Sequence, residues 1–401
     1  MTTENTHKVP NVPPLRFPEF SGEWEESTIG KEFELYSGNT PSRLDKENFV
    51  GDINWITSGE LKEHYIGDTK EKISESSAKE NNLKLMPEGT FVIAIYGLEA
   101  EGVRSTGSIT TKRSTISQAC MAFTPKGDIS NEFLYSWYMK HGNVIGLRYA
   151  QGTKQQNLSY DIIEKFKLRY PHPIEQNKIT SFIALLDKRI STQNKIIQHL
   201  ESLITGITQS VRDNATQKVL LRDVLTEKDE KNIGNHDVYS VSVSEGVINQ
   251  IDYLGRSFAA KETRNYNVVQ YGDIVYTKSP TGSFPYGIVK QSYIKEKAAV
   301  SPLYGVYKPV SFEVGYYLHH YFTSPIYTTN YLHKLIQKGA KNTINITNQR
   351  FLENYIPLPS SEVLEKYVAL VSAVTTKLEN EKQILSKLKE QKNYLLSKMF
   401  I

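Results

Sequence analysis

The sequence predicts an α+β fold. Two globular domains of mixed helix and strand alternate with two long helices that pair antiparallel as a coiled coil, and the chain is a tandem repeat with a pseudo-two-fold axis. Three observations carry this. An apolar heptad register runs through Ile183, Leu186, Ile190, Ile197, Leu200, Ile204, Ile207 and Val211. The register recurs 188 residues later at Val371, Val374, Leu378, Leu385, Leu388, Leu395 and Met399. Its flaw recurs as well, since Gln193 and Glu381 interrupt the two stripes at the same offset.

Each helix follows a long, Tyr-rich, irregular segment. The divisions are therefore a first domain over 1–173, a helix over 174–211, a second domain over 212–361 and a helix over 362–401. The first domain opens on a Pro-rich leader, Val9 to Pro18, which cannot be helix interior. The turn Pro87-Glu88-Gly89 introduces the strand Phe91–Tyr96; Met121–Phe123 and Phe166–Tyr170 read as further strands and Asn131–Leu147 as a helix. The second domain repeats the order, with Asp273–Tyr276, Leu303–Tyr307 and the helix Val314–Phe322. Pro171-His172-Pro173 and Pro357-Leu358-Pro359 each end a strand just before a long helix, where a missing N–H and a fixed φ do least harm. A helix of about 37 residues spans roughly 55 Å. So long an exposed stripe invites aggregation, and the economical solution is for the two stripes to bury each other.

Composition limits the function classes. The 401 residues are 39% apolar and 23% charged, as in ordinary globular chains. The only cysteine, Cys120, excludes an internal disulfide, no Cys/His spacing suggests a metal site, and no run is apolar enough to cross a membrane. The segment Met1–Val12 lacks the apolar core of a signal peptide, so a cytoplasmic location is expected. The net charge of +4 is modest but unevenly placed. Lys334, Lys338, Lys341 and Arg350 fall in a stretch without acids, as do Arg104, Lys112 and Arg113. Surface facing solvent and surface facing phosphates are both open for such clusters.

Catalytic signatures are missing. Gly102 to Ser108 has the two glycines of a phosphate loop, but Ser108 stands where the lysine must be. No run that would hold a flipped adenine and no dinucleotide fingerprint is present. His172, His319 and His320 read as packing or surface. No catalytic residue, metal site or cofactor is assigned to this chain.

Reading duplex DNA needs cations for phosphates, with amides, hydroxyls and aromatics for bases and sugars. The loops of the first domain offer Thr57, Ser58, Tyr96, Arg104, Ser105, Lys112, Arg113 and Ser114, with Lys154, Gln155 and Gln156. Those of the second offer Lys261, Arg264, Lys278, Ser279 and Tyr286, with Lys341 and Asn342. A coiled-coil adaptor that binds only proteins would use the same helices, and an enzyme acting alone on DNA is the third reading.

The chain resembles the specificity subunit of type I restriction-modification enzymes. The residues that carry the resemblance are Trp55-Ile56-Thr57-Ser58-Gly59-Glu60-Leu61, Leu85–Thr90, Gly152-Thr153 with Asn157-Leu158-Ser159, and Pro173-Ile174-Glu175-Gln176-Asn177-Lys178-Ile179. The second unit lacks the Trp-Ile-Thr-Ser-Gly run, and Ser361–Lys366 matches the helix entry only loosely. The resemblance implies two target-recognition domains, each reading one half of a bipartite, asymmetric DNA sequence, with the helix pair fixing the spacer. It also implies two modification subunits that use S-adenosylmethionine and restriction subunits that use ATP and Mg2+. The expected docking residues are Lys188, Arg189, Gln198, Lys387, Lys389 and Gln391, which lie off the heptad stripe.

Overall fold

The computed structural model describes residues 11–97, 106–149, 156–256, 260, 262–338 and 344–401. The chain forms two compact units, one built from residues up to Asn194 together with Gln383–Ile401, the other from Lys195–Lys382. Both long helices, Pro173–Asp213 and Ser361–Met399, are continuous through that division, so each contributes a segment to each unit. The helices are not bodies apart from the domains, because their stripes complete the domain cores.

In the first unit five strands pair in the order Phe33–Ser37, Cys120–Pro125, Phe91–Ala94, Gly107–Thr110 and Tyr65–Ile66. All neighbours are antiparallel except the last pair. Successive side chains of a strand point to opposite faces. Phe91 and Ile93 accordingly pack with Phe133, Leu134, Trp137 and Tyr138 of the helix Asn131–Tyr149. Val92 and Ala94 face the other way, onto Ile56, Ile116 and Cys120. That side is covered by a three-stranded sheet in which Ile53–Ile56 runs parallel to Ser114–Ile116 and antiparallel to Lys72–Ile73. Burial on both faces explains the unbroken apolar run from Phe91. It also pushes the Cys120 thiol up to about 12, which leaves the sulfur unreactive.

The second unit repeats the layering with other residues. Its sheet has the order Leu225–Glu227, Gly305–Pro309, Ile274–Tyr276, Val289–Gln291. Ile274, Tyr276, Val289 and Tyr307 face the helix Phe312–Tyr321, whereas Val275 and Val306 face Val269, Ala298 and Val300. His319 and His320 are packing residues of this helix. The His319 Nδ1 accepts from the Gln291 N–H at 2.9 Å, and burial lowers the pKa of both rings.

Within each unit the helix segments run in opposite directions. In the first, Ile179 and Ile183 share a core with Leu395, Met399 and Phe400, and Asp187 pairs with Lys392. In the second, Glu201 meets Lys382 at 2.8 Å and the Thr208 hydroxyl meets that of Tyr367 at 2.9 Å. Along the stripe Ile183, Ile197, Val371, Leu378, Leu388 and Leu395 are buried, while Leu186, Ile190, Leu200, Ile204, Ile207, Val374 and Leu385 are half-buried. The interruptions are buried too: Gln193 is 8% exposed and Glu381, paired with Lys377, is 6% exposed.

The motif that opens the first long helix is structural. Glu175 accepts two hydrogen bonds from the Arg16 guanidinium, both 2.7 Å, and one from the Trp24 indole at 3.4 Å, so the leader is clamped to the first turn. Gln176 accepts from the Ser130 N–H at 3.1 Å and donates to the carbonyls of Pro171 and Asp128 at 2.9 and 3.3 Å. At the same offset the second helix has Val363 and buried Leu364, so the loose match there reflects an apolar joint. Glu175→Gln keeps the shape but leaves the Arg16 charge without its partner, and about 1–3 kcal/mol of stability should be lost on chemical denaturation. A change below a few tenths would show the clamp to be ornamental. Among the described residues no helix is long and apolar enough to cross a membrane.

Candidate nucleic-acid interface

The proposed contact residues of the first unit divide between two ends of the three-stranded sheet. The strand Ser114–Ile116 runs parallel to Ile53–Ile56. Thr57 and Ser58 follow the second strand, and Ser117 follows the first, its N–H donating to the Ile56 carbonyl at 2.8 Å. Tyr96 belongs to the same end, since the Ile95 N–H donates to the Ala119 carbonyl and Tyr96–Gly97 pairs with Gln156–Asn157. Tyr96 is 38% exposed there. Thr57 is half-buried, with its N–H and its hydroxyl both donating to Glu60 at 2.9 and 3.0 Å. Exposed Gln118 joins this group, and the sequence reading missed it because nothing local distinguishes the two ends of a short strand.

Lys112 and Arg113 precede the strand and therefore stand at the other end, Lys112 exposed and Arg113 on the Glu75 carboxylate at 3.1 Å. Ser114 requires a correction. It is fully buried, its hydroxyl donates to the Lys112 carbonyl at 2.8 Å, and it cannot reach a duplex. Residues Arg104, Ser105, Lys154 and Gln155 lie outside the described residues, but the described flanks Gly97, Thr106 and Gln156 belong to the Tyr96 end: the Ala94 N–H donates to the Thr106 carbonyl at 2.9 Å.

In the second unit Lys278, Ser279 and Tyr286 lie on one hairpin between the strands Ile274–Tyr276 and Val289–Gln291. The hairpin is held from below. The Tyr276 hydroxyl donates to the Tyr286 carbonyl at 2.8 Å, and Gly287 has φ +99°, with the Thr277 carbonyl oxygen 1.8 Å from where a Cβ would stand. Only glycine fits there. Ser279 is exposed; Lys278 is half-buried, and burial lowers its pKa against the opposing pull of Glu227. The Tyr286 ring lies 6.1 Å from that of His333 at the end of the helix Pro325–His333, which adds a histidine to the group. Arg264, exposed and 3.7 Å from Glu262, precedes the strand Asn267–Val269 and so belongs to the small-sheet layer. Lys261, Lys341 and Asn342 lie outside the described residues.

Of the residues that carried the sequence resemblance, Trp55 and Glu60 are scaffold. Trp55 is buried against Phe49, with its indole N–H on the Asn39 carbonyl at 3.2 Å, and Glu60 ties Thr57 to the Lys70 N–H.

Known proteins agree with this architecture. Residues 21–202 match the family model described as type I restriction modification DNA specificity domain. Over 185 residues the chain is 27% identical to the type I restriction enzyme MjaIX specificity subunit of Methanocaldococcus jannaschii, covering 45% of this chain and 42% of that one. Over 212 residues it is 26% identical to the EcoR124I/EcoR124II specificity subunit of Escherichia coli, covering 53% and 50%. The matches thus span half or less of these relatives. The crystal structure of a type I restriction-modification S subunit from M. genitalium superposes with a TM-score of 0.57 at 14% identity, over 97% of this chain and 99% of that one. A chain from a structural study of complex assembly in the type I system gives 0.53 at 13%, over 96% and 99%. Over residues 21–202 the chain is thus similar to the type I restriction modification DNA specificity domain.

Proposed function

We propose that this chain is the non-catalytic DNA-recognition subunit of a type I restriction-modification complex, working in the cytoplasm. Each globular domain reads one half of a bipartite, asymmetric double-stranded target, and the helix pair sets the spacer between the halves. The observation that carries this reading is that one layered core is built twice, while the side chains on its strand ends differ between the copies: Thr57, Ser58, Tyr96 and Gln118 in one, Lys278, Ser279, Tyr286 and His333 in the other. Repeated cores with unlike ends suit two readers of unlike half-sites.

Catalysis then belongs to partners: two modification subunits that use S-adenosylmethionine, and restriction subunits that use ATP and Mg2+. Exposed side chains on the outer helix faces support such docking. Lys188, Arg189, Gln198, Lys387, Lys389 and Gln391 are all exposed, and so, at the repeat offset, are the apolar pairs Phe182 with Leu370 and Ile196 with Ile384.

Mapping methylated adenines in the host genome tests the reading directly, and the expected result is a split motif with two unlike parts. A single continuous motif would defeat it. Purified chain should bind random duplex with an affinity whose logarithm falls by about 0.9 per phosphate neutralised for each tenfold rise in salt. Binding indifferent to salt would favour the protein-only adaptor. Turnover by the chain alone with methyl donor, ATP and magnesium would favour an enzyme.

A further inference from the structure

A buried cluster of charge in the first unit has no part in base reading. The His64 side chain is 9% exposed and is sandwiched between the rings of Tyr65, at 4.1 Å and 10°, and Tyr135, at 3.9 Å and 2°. Its Nε2 lies 3.0 Å from the Glu132 carboxylate on the helix Asn131–Tyr149, and its Nδ1 lies 3.3 Å from Asp187 on the first long helix. The Asp187 carboxylate faces that nitrogen as an ion-pair partner. Asp187 also holds the ammonium of Lys392 on the second long helix, and the Tyr65 hydroxyl donates to Glu132 at 3.0 Å. Three bodies of structure meet at one imidazole: the sheet side of the domain, its helix and the helix pair.

The geometry favours a charged ring. Ionised carboxylates only accept hydrogen bonds, and they stand at both nitrogens. A neutral imidazole would turn a lone pair towards one of them; an imidazolium offers a proton to each. Burial disfavours the cation, yet Asp187 and Glu132 together outweigh it and raise the pKa above 6.5. For Asp187 burial likewise opposes ionisation, and His64 and Lys392 prevail. The phenols of Tyr65, pushed up to about 12 by burial first and by Glu132, and of Tyr135, higher still, stay neutral.

The second unit does not repeat the ion pair of this cluster. At the 188-residue offset Asp187 corresponds to Thr375, and Lys392 to Ile204, an apolar member of the heptad stripe. One unit keeps an uncharged joint where the other has inserted an ion pair, although an apolar contact at such a position is generally at least as stabilising. Stability alone does not explain the difference.

We propose that His64, as an imidazolium, is a positioning residue that locks the first recognition domain onto the helix pair, so that tolerance of spacer length at the DNA target depends on its charge. This rests on the recognition function proposed above. The sign follows from linkage: a group whose pKa is raised in the fold contributes fully below about pH 6.5, and the contribution is lost as pH climbs through the folded value. Asp187 is lowered, so its share fails only at acid pH, far from that window.

The test uses the full chain. The ring resonance of His64, identified by its disappearance in His64→Gln, should titrate above the ordinary histidine value, and its midpoint should fall in Asp187→Asn. On duplexes carrying the mapped target, discrimination against a spacer one base pair too long should drop about fivefold as the ring deprotonates, the lower end of ordinary coupling between sites. His64→Gln should show the weak discrimination at every pH, with binding of each isolated half-site changed less than about twofold. A midpoint at or below 6.5 overturns the lock, as does a variant that discriminates with the wild-type pH profile. Should the genome carry no split target, the recognition reading fails by itself. The lock is then judged by the titration and by hydrogen exchange in the Asn131–Tyr149 helix, whose protection relative to the intrinsic rate at each pH should fall at high pH in the wild type and be low at all pH in His64→Gln.

Discussion

Phe400→Ala should destabilise the first unit by roughly 3–5 kcal/mol, the cost of removing a large aromatic from a packed core. The effect is large for a residue just past the end of the helix Ser361–Met399, since helix ends ordinarily fray. Here Phe400 has no exposed surface, and its ring centroid lies 5.2 Å from that of Phe133, which also packs edge-on against Trp24 at 5.8 Å. Lys140 caps the Phe400 carbonyl, and the Lys398 carbonyl accepts from the Leu15 N–H at 3.0 Å. The end of the second long helix thus enters the core of the first unit beside the leader and the helix Asn131–Tyr149. Denaturation of the full chain should show one transition moved to lower denaturant, while the transition of the second unit stays in place. Phe351→Ala, buried in the second core against Tyr276 at 4.5 Å, should have the converse effect. A loss below about 1 kcal/mol for Phe400→Ala would mean that the tail is only laid on the surface.

These contacts mark where the sequence is legible. The long helices can be read because their heptads repeat at a fixed offset with their flaw. The strand at Phe91 can be read because burial on both faces leaves an unbroken apolar run, and the Pro-flanked strand ends because proline has few places to go. Other features have no local signature. The parallel pairing of Ile53–Ile56 with Ser114–Ile116 joins segments about sixty residues apart, and the membership of Phe400 in the first core is a matter of tertiary closure. The site is less legible still. Lys112 and Tyr96 both sit in basic or aromatic loops, and only the strand direction reveals that they stand at opposite ends of a sheet. Ser114 looks like a loop hydroxyl until its burial is seen. Glu175 and Gln176, which signal the family most clearly, are joints of the scaffold, because a joint constrains residue type more tightly than a reading surface does.

Deleting Ser191–Ile197 together with Glu379–Leu385 should shorten the preferred spacer and leave both half-sites unchanged. The seven residues removed from each helix are a whole heptad, so Ile190 and Leu378 are followed by the apolar positions the register requires, now Leu200 and Leu388. The cut also removes Gln193 and Glu381, the buried polar interruptions, so the shortened pair should be no less stable per turn than the original. Seven residues of helix measure about 10.5 Å, and B-DNA rises about 3.4 Å per base pair, so the spacer should contract by about three base pairs. Methylation mapping in cells that carry the shortened chain reads the outcome. A removal of two or five residues would rotate the stripe off its partner by close to half a turn, and binding should be lost with the pairing instead of shifted. The two deletions therefore separate length from register. If the heptad deletion left the spacer as it was, or altered the bases of a half-site, the helices would not be what measures the target, and the distance between readers would have to be set by the domains themselves.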